Sequence, residues 1–494
     1  MKRLSYILLL VLISGTSWGQ NIKDALNLSD YRIQGTARSA AMGNAFGALG
    51  GDFTSASINP AGIGVFRSSE FEFTLAQGST DMDATYLGNK STASRSWLNI
   101  PNMGYVATFK SNSPSVVSFN IGLGYNRMKD FNTREIIRGD NANSSMLDEF
   151  VDNANVNNWS EYYEGLAYKT GVLPFDTVSG TYWDDLNNGG YGQSQRKSII
   201  RKGNINEYIF SMAANFNNRF YLGATIGIQD VYFKESTSFI EEDVNNNIDV
   251  FNSYDFRTYQ KTTGTGINLK IGAIYKPIPA LRLGLALHTP TYYNLHDYFY
   301  TGMNSSITNN DSTDDEYEAN STYSDYDYDF NSPMEAILSA AYVIGNKGLI
   351  SVDYEYKDYS NGKFSSDNWE DDDSNFDGVN SDIEKHYQSS GNLHIGGEFR
   401  PNQNFSVRGG FEYYQSPYST TITDDFGNSL PNKNKDANTK TYSIGIGWQM
   451  NGFFADLTYK NLQRDNYIYL YDSAKPAKIK MDRDYLMMTI GFRF

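Results

Sequence analysis

Cysteine is absent from the 494-residue chain. Its absence excludes disulfides, thiolate metal sites, a cysteine nucleophile and a lipidated N-terminal cysteine. It also suits an oxidising compartment, where a stray thiol is a liability. Proline is scarce, at 12 residues. Positive charge is short: 41 lysines and arginines stand against 57 aspartates and glutamates, a net charge of −16. That balance argues against a nucleic-acid partner, because phosphate contacts need clustered cations. Long apolar runs are missing as well. Past the N-terminus the best candidate, Ala336 to Ile344, is half the length a transmembrane helix takes, roughly 18 residues. His288, His296, His386 and His394 show no metal-ligand spacing. The only match to a G-x-S-x-G nucleophile pattern, Gly15 to Gly19, has no strand-turn-helix context. The chain reads as a non-enzyme.

Aromatic residues and glycine are plentiful, with 38 tyrosines, 29 phenylalanines and 43 glycines. That composition, in short alternating runs, favours strands over helices. Residues 1–19 have the layout of a signal peptide. Lys2 and Arg3 precede an apolar stretch from Tyr6 to Ile13, and Ser17 and Gly19 are the small residues that cleavage needs. Gln20 would begin the mature chain.

The mature chain is dominated by period-2 alternation, in which residues i, i+2 and i+4 share one face of a strand. Fourteen such runs can be read. Examples are Phe71–Phe73–Leu75, Phe220–Leu222–Ala224–Ile226–Ile228, Ile267–Leu269–Ile271–Ala273–Tyr275, Leu281–Leu283–Leu285–Leu287 and Leu486–Met488–Ile490–Phe492–Phe494. None of the apolar sets contains a charged residue. The opposite faces carry Glu72, Lys270, Arg282, Asp353, Glu398, Arg408, Glu412 and Asp456, among others. A Lys or Arg facing lipid at the midplane costs about 2–4 kcal/mol, so one face is expected to meet lipid and the other a wet lumen. The run Ala336 to Ile344 is the least regular, because Ile337 and Val343 blur it.

The connections alternate between short turns, such as Asn217–Asn218 and Asn451–Gly452, and long segments. The long ones cover roughly 78–102, 127–206, 230–263, 289–333, 358–390, 416–439 and 461–483. Short periplasmic turns opposite long extracellular loops are characteristic of outer-membrane barrels. The expectation is therefore an all-β fold over residues 67–494: a 14-stranded antiparallel transmembrane β-barrel in a Gram-negative outer membrane, surrounded by outer-membrane lipid. The terminal aromatic Phe494 resembles the signal read by outer-membrane assembly machinery.

Residues 20–66 do not alternate. Ser39 to Leu49 is small and Ala-rich, and Asn59-Pro60-Ala61-Gly62 is a turn by composition. About forty compact residues are expected to fill the lumen as a hatch, since barrels above eight strands leave space. The run from Gly35 through Met42 to Ala45, followed by Ser57 to Gly62, resembles the hatch of the long-chain fatty-acid outer-membrane transporters, the FadL/TodX type. Leu281 to Leu295 is similar to a strand and loop start of that family. The resemblance implies a monomer that passes a hydrophobic small molecule, such as a fatty acid or aromatic compound, without an energy source. It implies that Asn59, Pro60 and Ala61 shape the hatch and that the ligand leaves through the barrel wall. Gly122 or Gly124 would then mark an opening, or alternatively a close approach of the hatch. The loops are longer and more acidic than a fatty-acid collector needs. A second reading is accordingly a scaffold or receptor that binds partner proteins through them.

One loop has the spacing of a calcium site. Asp373, Asn375 and Asp377, with Gly378 and then Glu384, fit an EF-hand loop, although no flanking helices are evident. No other cofactor is expected.

Overall fold

The computed structural model of the protein describes residues 22–309, 311, 313–367, 373–423 and 429–494. The expected signal peptide lies outside the described residues. Fourteen antiparallel strands close into a barrel. They are β1 (Glu70–Tyr86), β2 (Asn89–Lys110), β3 (Val116–Asp130), β4 (Ser194–Phe216), β5 (Phe220–Glu242), β6 (Phe251–Ile278), β7 (Leu281–His288), β8 (Glu335–Ile344), β9 (Gly348–Asp358), β10 (Ser389–Phe399), β11 (Phe405–Tyr414), β12 (Thr439–Met450), β13 (Phe453–Ile468) and β14 (Ala477–Arg493). Thr133–Gly139 continues β3, Tyr292–Thr308 continues β7 and Ser324–Asn331 precedes β8 in the same wall.

Each strand pairs with its chain neighbours, and β14 returns to β1 in register from Glu70↔Arg493 to Thr85↔Lys478. Closure leaves no edge to template aggregation. At the seam the Phe494 amide donates to the Ser69 carbonyl (3.0 Å), and the Phe494 ring stacks on Tyr105. The tight turns use residues that tolerate positive φ. Asn217 and Asn218 are both left-handed, as are Asn451 and Gly452, which suits two-residue hairpins.

Burial is inverted relative to a soluble protein. Leu269 and Ile271 on β6 are 43% and 49% exposed, while Lys270 between them is 3% exposed. The same holds around the wall: Glu72, Asp353, Glu398, Arg408, Glu412 and Asp456 are buried, and their apolar neighbours face outward. An apolar belt of this extent is stable only against lipid, so the barrel is transmembrane. Among the described residues no helix is long and apolar enough to cross a membrane.

The long connections differ from expectation. Residues 78–102 are no loop: β1 and β2 run on as one hairpin to a turn at Leu87–Gly88, paired from Gln77↔Leu98 to Tyr86↔Asn89. The strands also extend far into 230–263 and 461–483. Above the membrane the outward face of a strand meets water and turns polar, while apolar residues such as Met82, Ala84 and Tyr86 face inward, so the outward apolar set that reveals the strand ends while its ladder continues. The segment after Gly139 folds into a cap containing helices Met146–Asn155, Glu164–Lys169 and Asp185–Gly189. Its Leu147, Phe150, Leu166 and Leu173 pack with Phe239, Tyr254, Phe256 and Met303 of the strand extensions. The irregular β8 has a cause too. Ile337 and Ala341 point inward onto Met42, Phe46 and Leu49.

Candidate functional site

Residues 22–66 lie inside the barrel. Their helices are short: Ile22–Ser29, Ala37–Ala41 and Ser55–Ile58, then a 3₁₀ turn, Pro60–Val65. Ala37, Ala40, Ala41 and Met42 are wholly buried. Small side chains let this backbone approach the wall, and wall glycines complete the fit. A methyl group on Gly223 would overlap the Pro60 carbonyl, one on Gly272 the Asn59 amide, and one on Gly396 the Met42 carbonyl.

Asn59 joins hatch to wall. Its Oδ1 accepts from the Ala61 amide (3.1 Å) and caps the 3₁₀ turn, with Pro60 at the first position, where a missing N–H costs nothing. Its Nδ2 donates to the Gly47 carbonyl (2.6 Å) within the hatch and to the Ala273 carbonyl (3.2 Å) on β6. Asn59, Pro60 and Ala61 are thus brought together at one wall contact.

Charged side chains of the inner wall hold the rest. Asp353 accepts from the Gly47 amide (2.7 Å). Ser57 donates to Glu207 (2.6 Å), which is ion-paired with Lys270. The His288 ring meets the Ile58 carbonyl (3.0 Å) and Glu335 (3.1 Å), and Lys357 pairs with Glu335 (2.6 Å). Arg38 reaches Glu398 (3.4 Å), which also pairs with Arg408 (2.7 Å). Hydrogen bonds to charged groups contribute about 1.5–3 kcal/mol each, so the hatch is docked by several such contacts.

Between it and the wall lies a luminal cavity of about 50 Å³, lined by Tyr31, Asn44, Lys270, His288, Glu335 and Lys357 among others. That volume suits a few waters. Its lining sets the charged groups Lys270, His288, Glu335, Asp353 and Lys357 beside Ile33, Ile58, Met128 and Ile337. A different cavity is apolar. On the outer face a depression of about 470 Å³ is bounded by Phe119, Met212, Leu222, Ile271, Leu285 and Leu287, with Ala214, Ala224 and Ala273 at its floor. Gly223 and Gly272 belong to the same patch. Behind them, across one thickness of backbone, stand Pro60 and Asn59.

Gly122 and Gly124 line no gap. Their ladders are continuous, to Val106 and Gly104 on β2 and to Ser211 and Ile209 on β4. Instead the hatch residue Phe53 packs against both, 3.4 Å from a methyl at Gly122 and nearer at Gly124. Close approach, the alternative reading of these glycines, describes the geometry. The calcium spacing also fails to assemble. Asp373–Phe376 is a 3₁₀ turn and Asp377–His386 an α-helix. Residues seven apart in a helix are separated by about 10 Å along its axis, so Asp377 and Glu384 cannot share an ion. Among the described residues no three acidic or histidine side chains form a metal-sized group. The Asp-rich spacing serves a helix N-terminus, where carboxylates are favoured.

Sequence reasoning missed Glu207, Glu335, Lys357 and Ser57, and the wall glycines Gly223 and Gly272. The available signal was an inward charge or glycine set between two outward apolar residues, as in Leu222-Gly223-Ala224.

No family model and no curated protein sequence matches the chain. Solved structures do match it in fold. A Pseudomonas aeruginosa FadL homologue superposes with a TM-score of 0.55 at 12% identity, covering 94% of this chain and 99% of that one. The Pseudomonas putida toluene transporter TodX gives 0.50 at 12% identity, covering 93% and 98%. The Ralstonia pickettii toluene transporter TbuX gives 0.50 at 13% identity, covering 95% and 100%. The chain has the fold of these channels along almost its whole length.

Proposed function

We propose that the protein is a channel of a Gram-negative outer membrane that passes hydrophobic small molecules, such as long-chain fatty acids or aromatic compounds, as a monomer and without an energy source. The observation that carries this reading is the position of Asn59. It ties the lumen-filling segment to β6 directly behind an apolar depression that opens to lipid. Loss of that contact would loosen the hatch at the wall behind the depression, while its contacts to Asp353, Glu207, His288 and Glu398 remain. The apolar side of the wall there suits an apolar molecule, because burying apolar area yields roughly 25 cal/mol per Å². The likeness in fold to a FadL homologue and to toluene transporters is consistent with this chemistry.

Capture would begin at the cap. Trp159, Tyr168, Phe175 and Tyr182 form an exposed aromatic cluster, with ring centroids 4.8–6.2 Å apart. Tyr168 is half exposed. The test is uptake of radiolabelled oleate and of toluene into liposomes carrying the protein, compared with Asn59→Ala. Uptake by the native protein, changed several-fold in the variant, supports the channel. No uptake of either compound above empty liposomes rejects it.

The same exposed aromatic cluster favours one second reading, a receptor or scaffold that grips a partner protein through the cap. Deleting residues 146–189 separates the two. Partner capture would vanish with the cap, whereas uptake, though slowed by the loss of capture, would still be measurable and still change on Asn59→Ala.

A further inference from the structure

In a chain with net charge −16, three lysines stand in one line across the outer wall, with Asp230, four residues toward the membrane from Lys234 on the same face, as the acidic residue of that strand face next to the row. Lys202 on β4 is directly opposite Lys234 on β5, and Lys234 directly opposite Lys261 on β6. Neighbouring strands are about 4.8 Å apart, so the three ammonium stems span roughly 10 Å. Like charges directly opposite destabilise a sheet. Among the described residues none of the three makes an ion pair. The carboxylates on the same wall face two strands further on, Asp325 and Asp327, are both turned onto His296 at 2.7 Å. The lysine row is therefore uncompensated.

Its height is set by register. The outward apolar sets end at Tyr208 on β4, Ile228 on β5 and Ile267 on β6, and each lysine lies six residues beyond, toward the extracellular side. Six residues of strand rise about 20 Å, or roughly 15 Å once tilted by about 40°. A phospholipid headgroup layer extends only about 5–8 Å beyond the hydrocarbon. An anion at the level of these lysines must sit on a longer headgroup.

Beside the row stands a tyrosine platform. Lys234 Nζ lies 4.5 Å from the Tyr259 ring centre. Tyr259 stacks on Tyr300 at 4.9 Å, and Tyr298, directly opposite Lys261, stacks on Tyr323 at 5.2 Å. Tyr323 is 66% exposed. Flat aromatic faces bearing hydroxyls fit sugar rings, and the adjacent ammonium groups fit phosphate or acidic sugars.

We propose that this patch on the outer wall binds the anionic saccharide headgroup of an outer-leaflet glycolipid, the lysines neutralising its charge and the tyrosines stacking on its sugars. The site is separate from the hatch and from the proposed passage. It would anchor and orient the barrel among its annular lipids.

The test uses the full-length folded protein in detergent, titrated with a purified phosphorylated outer-membrane glycolipid, with phosphatidylglycerol, and with inorganic phosphate. Lys202→Ala/Lys234→Ala/Lys261→Ala is expected to weaken glycolipid binding on the order of a hundredfold, at about fivefold per lysine near an anionic surface. The triple Lys→Arg variant should keep it. Tyr298→Ala/Tyr323→Ala should weaken the glycolipid and leave phosphatidylglycerol unchanged. Heat-modified electrophoretic mobility checks that every variant is a closed barrel. Unchanged glycolipid affinity in the folded triple-alanine variant overturns the proposal. So does equal competition by phosphatidylglycerol or by millimolar phosphate, which would reveal a general anion surface.

Discussion

At the scale of the residue, the inner wall is a set of buried charges whose partners decide whether they hold or break the fold. Lys357 is 2% exposed and pairs with Glu335, which also meets His288. Replacing Lys357 by Met leaves a buried carboxylate without its main partner, a change that costs about 3–5 kcal/mol. Lys357→Met should lower the denaturant midpoint strongly, and Lys357→Met/Glu335→Leu should recover most of the loss. Gly272 is a steric counterpart. Gly272→Ala drives a methyl into Asn59, and overpacking of this kind costs about 1–3 kcal/mol. At Gly397 the nearest atom to a new methyl is 3.8 Å away, so Gly397→Ala should be close to neutral in the same unfolding measurement.

In the extracellular cap, Asp184 caps the helix Asp185–Gly189 by accepting from the Asn187 amide (2.8 Å). Burial pushes its carboxyl up to about 6, against the lowering effect of that bond. Its other oxygen is buried without a partner. A folded-state value above the unfolded one of 3.8 means that the folded cap holds the proton more tightly. The stability it contributes is full below pH 4 and is lost as pH rises through about 6. Hydrogen exchange across residues 184–189 should therefore slow as pH falls from 7 to 5, after correction for intrinsic rates. Asp184→Asn, which keeps the capping acceptor, should abolish that dependence.

At the scale of the element, legibility followed the lipid. Every strand that carries an outward apolar set was readable, because the bilayer demands alternation there. The upper halves of β1 and β2 were not. Their outward residues, such as Asp81 and Asp83, are polar, and the apolar set Met82–Ala84–Tyr86 is turned inward, yet Asp81 pairs with Ser94 and Asp83 with Thr92. Amides from residue 79 to 98 should be protected from exchange as a paired hairpin, except at the Leu87–Gly88 turn. Rapid exchange throughout would restore the loop. The hatch was readable as a compact, small-residue segment, and Asn59-Pro60-Ala61 as its turn. Its docking partners were not, since Asp353, Glu207 and Gly272 come from strands far apart in sequence and only closure of the barrel gathers them. The Asp373 to Glu384 spacing has two readings because the same carboxylates that suit a calcium loop also suit the start of a helix, the form they take here.

At the scale of the whole molecule, a folded cap shares an apolar core with the strand extensions, and a hatch is fastened to the inner wall with a small cavity between the two. The outside is an apolar belt with a depression in front of Asn59. The account's central claim is that this hatch must leave its seat for a hydrophobic molecule to pass. The absence of native cysteine makes a direct test clean. A methyl at Gly64, in the 3₁₀ turn of the hatch, would lie 3.4 Å from the Ala213 Cβ on β4, close to the 3.5–4.5 Å a disulfide spans. The measurement is oleate uptake into liposomes by the Gly64→Cys/Ala213→Cys variant, oxidised and then reduced. Uptake that stops on oxidation and returns with reductant is the predicted result. Equal uptake with the disulfide fully formed would contradict the account.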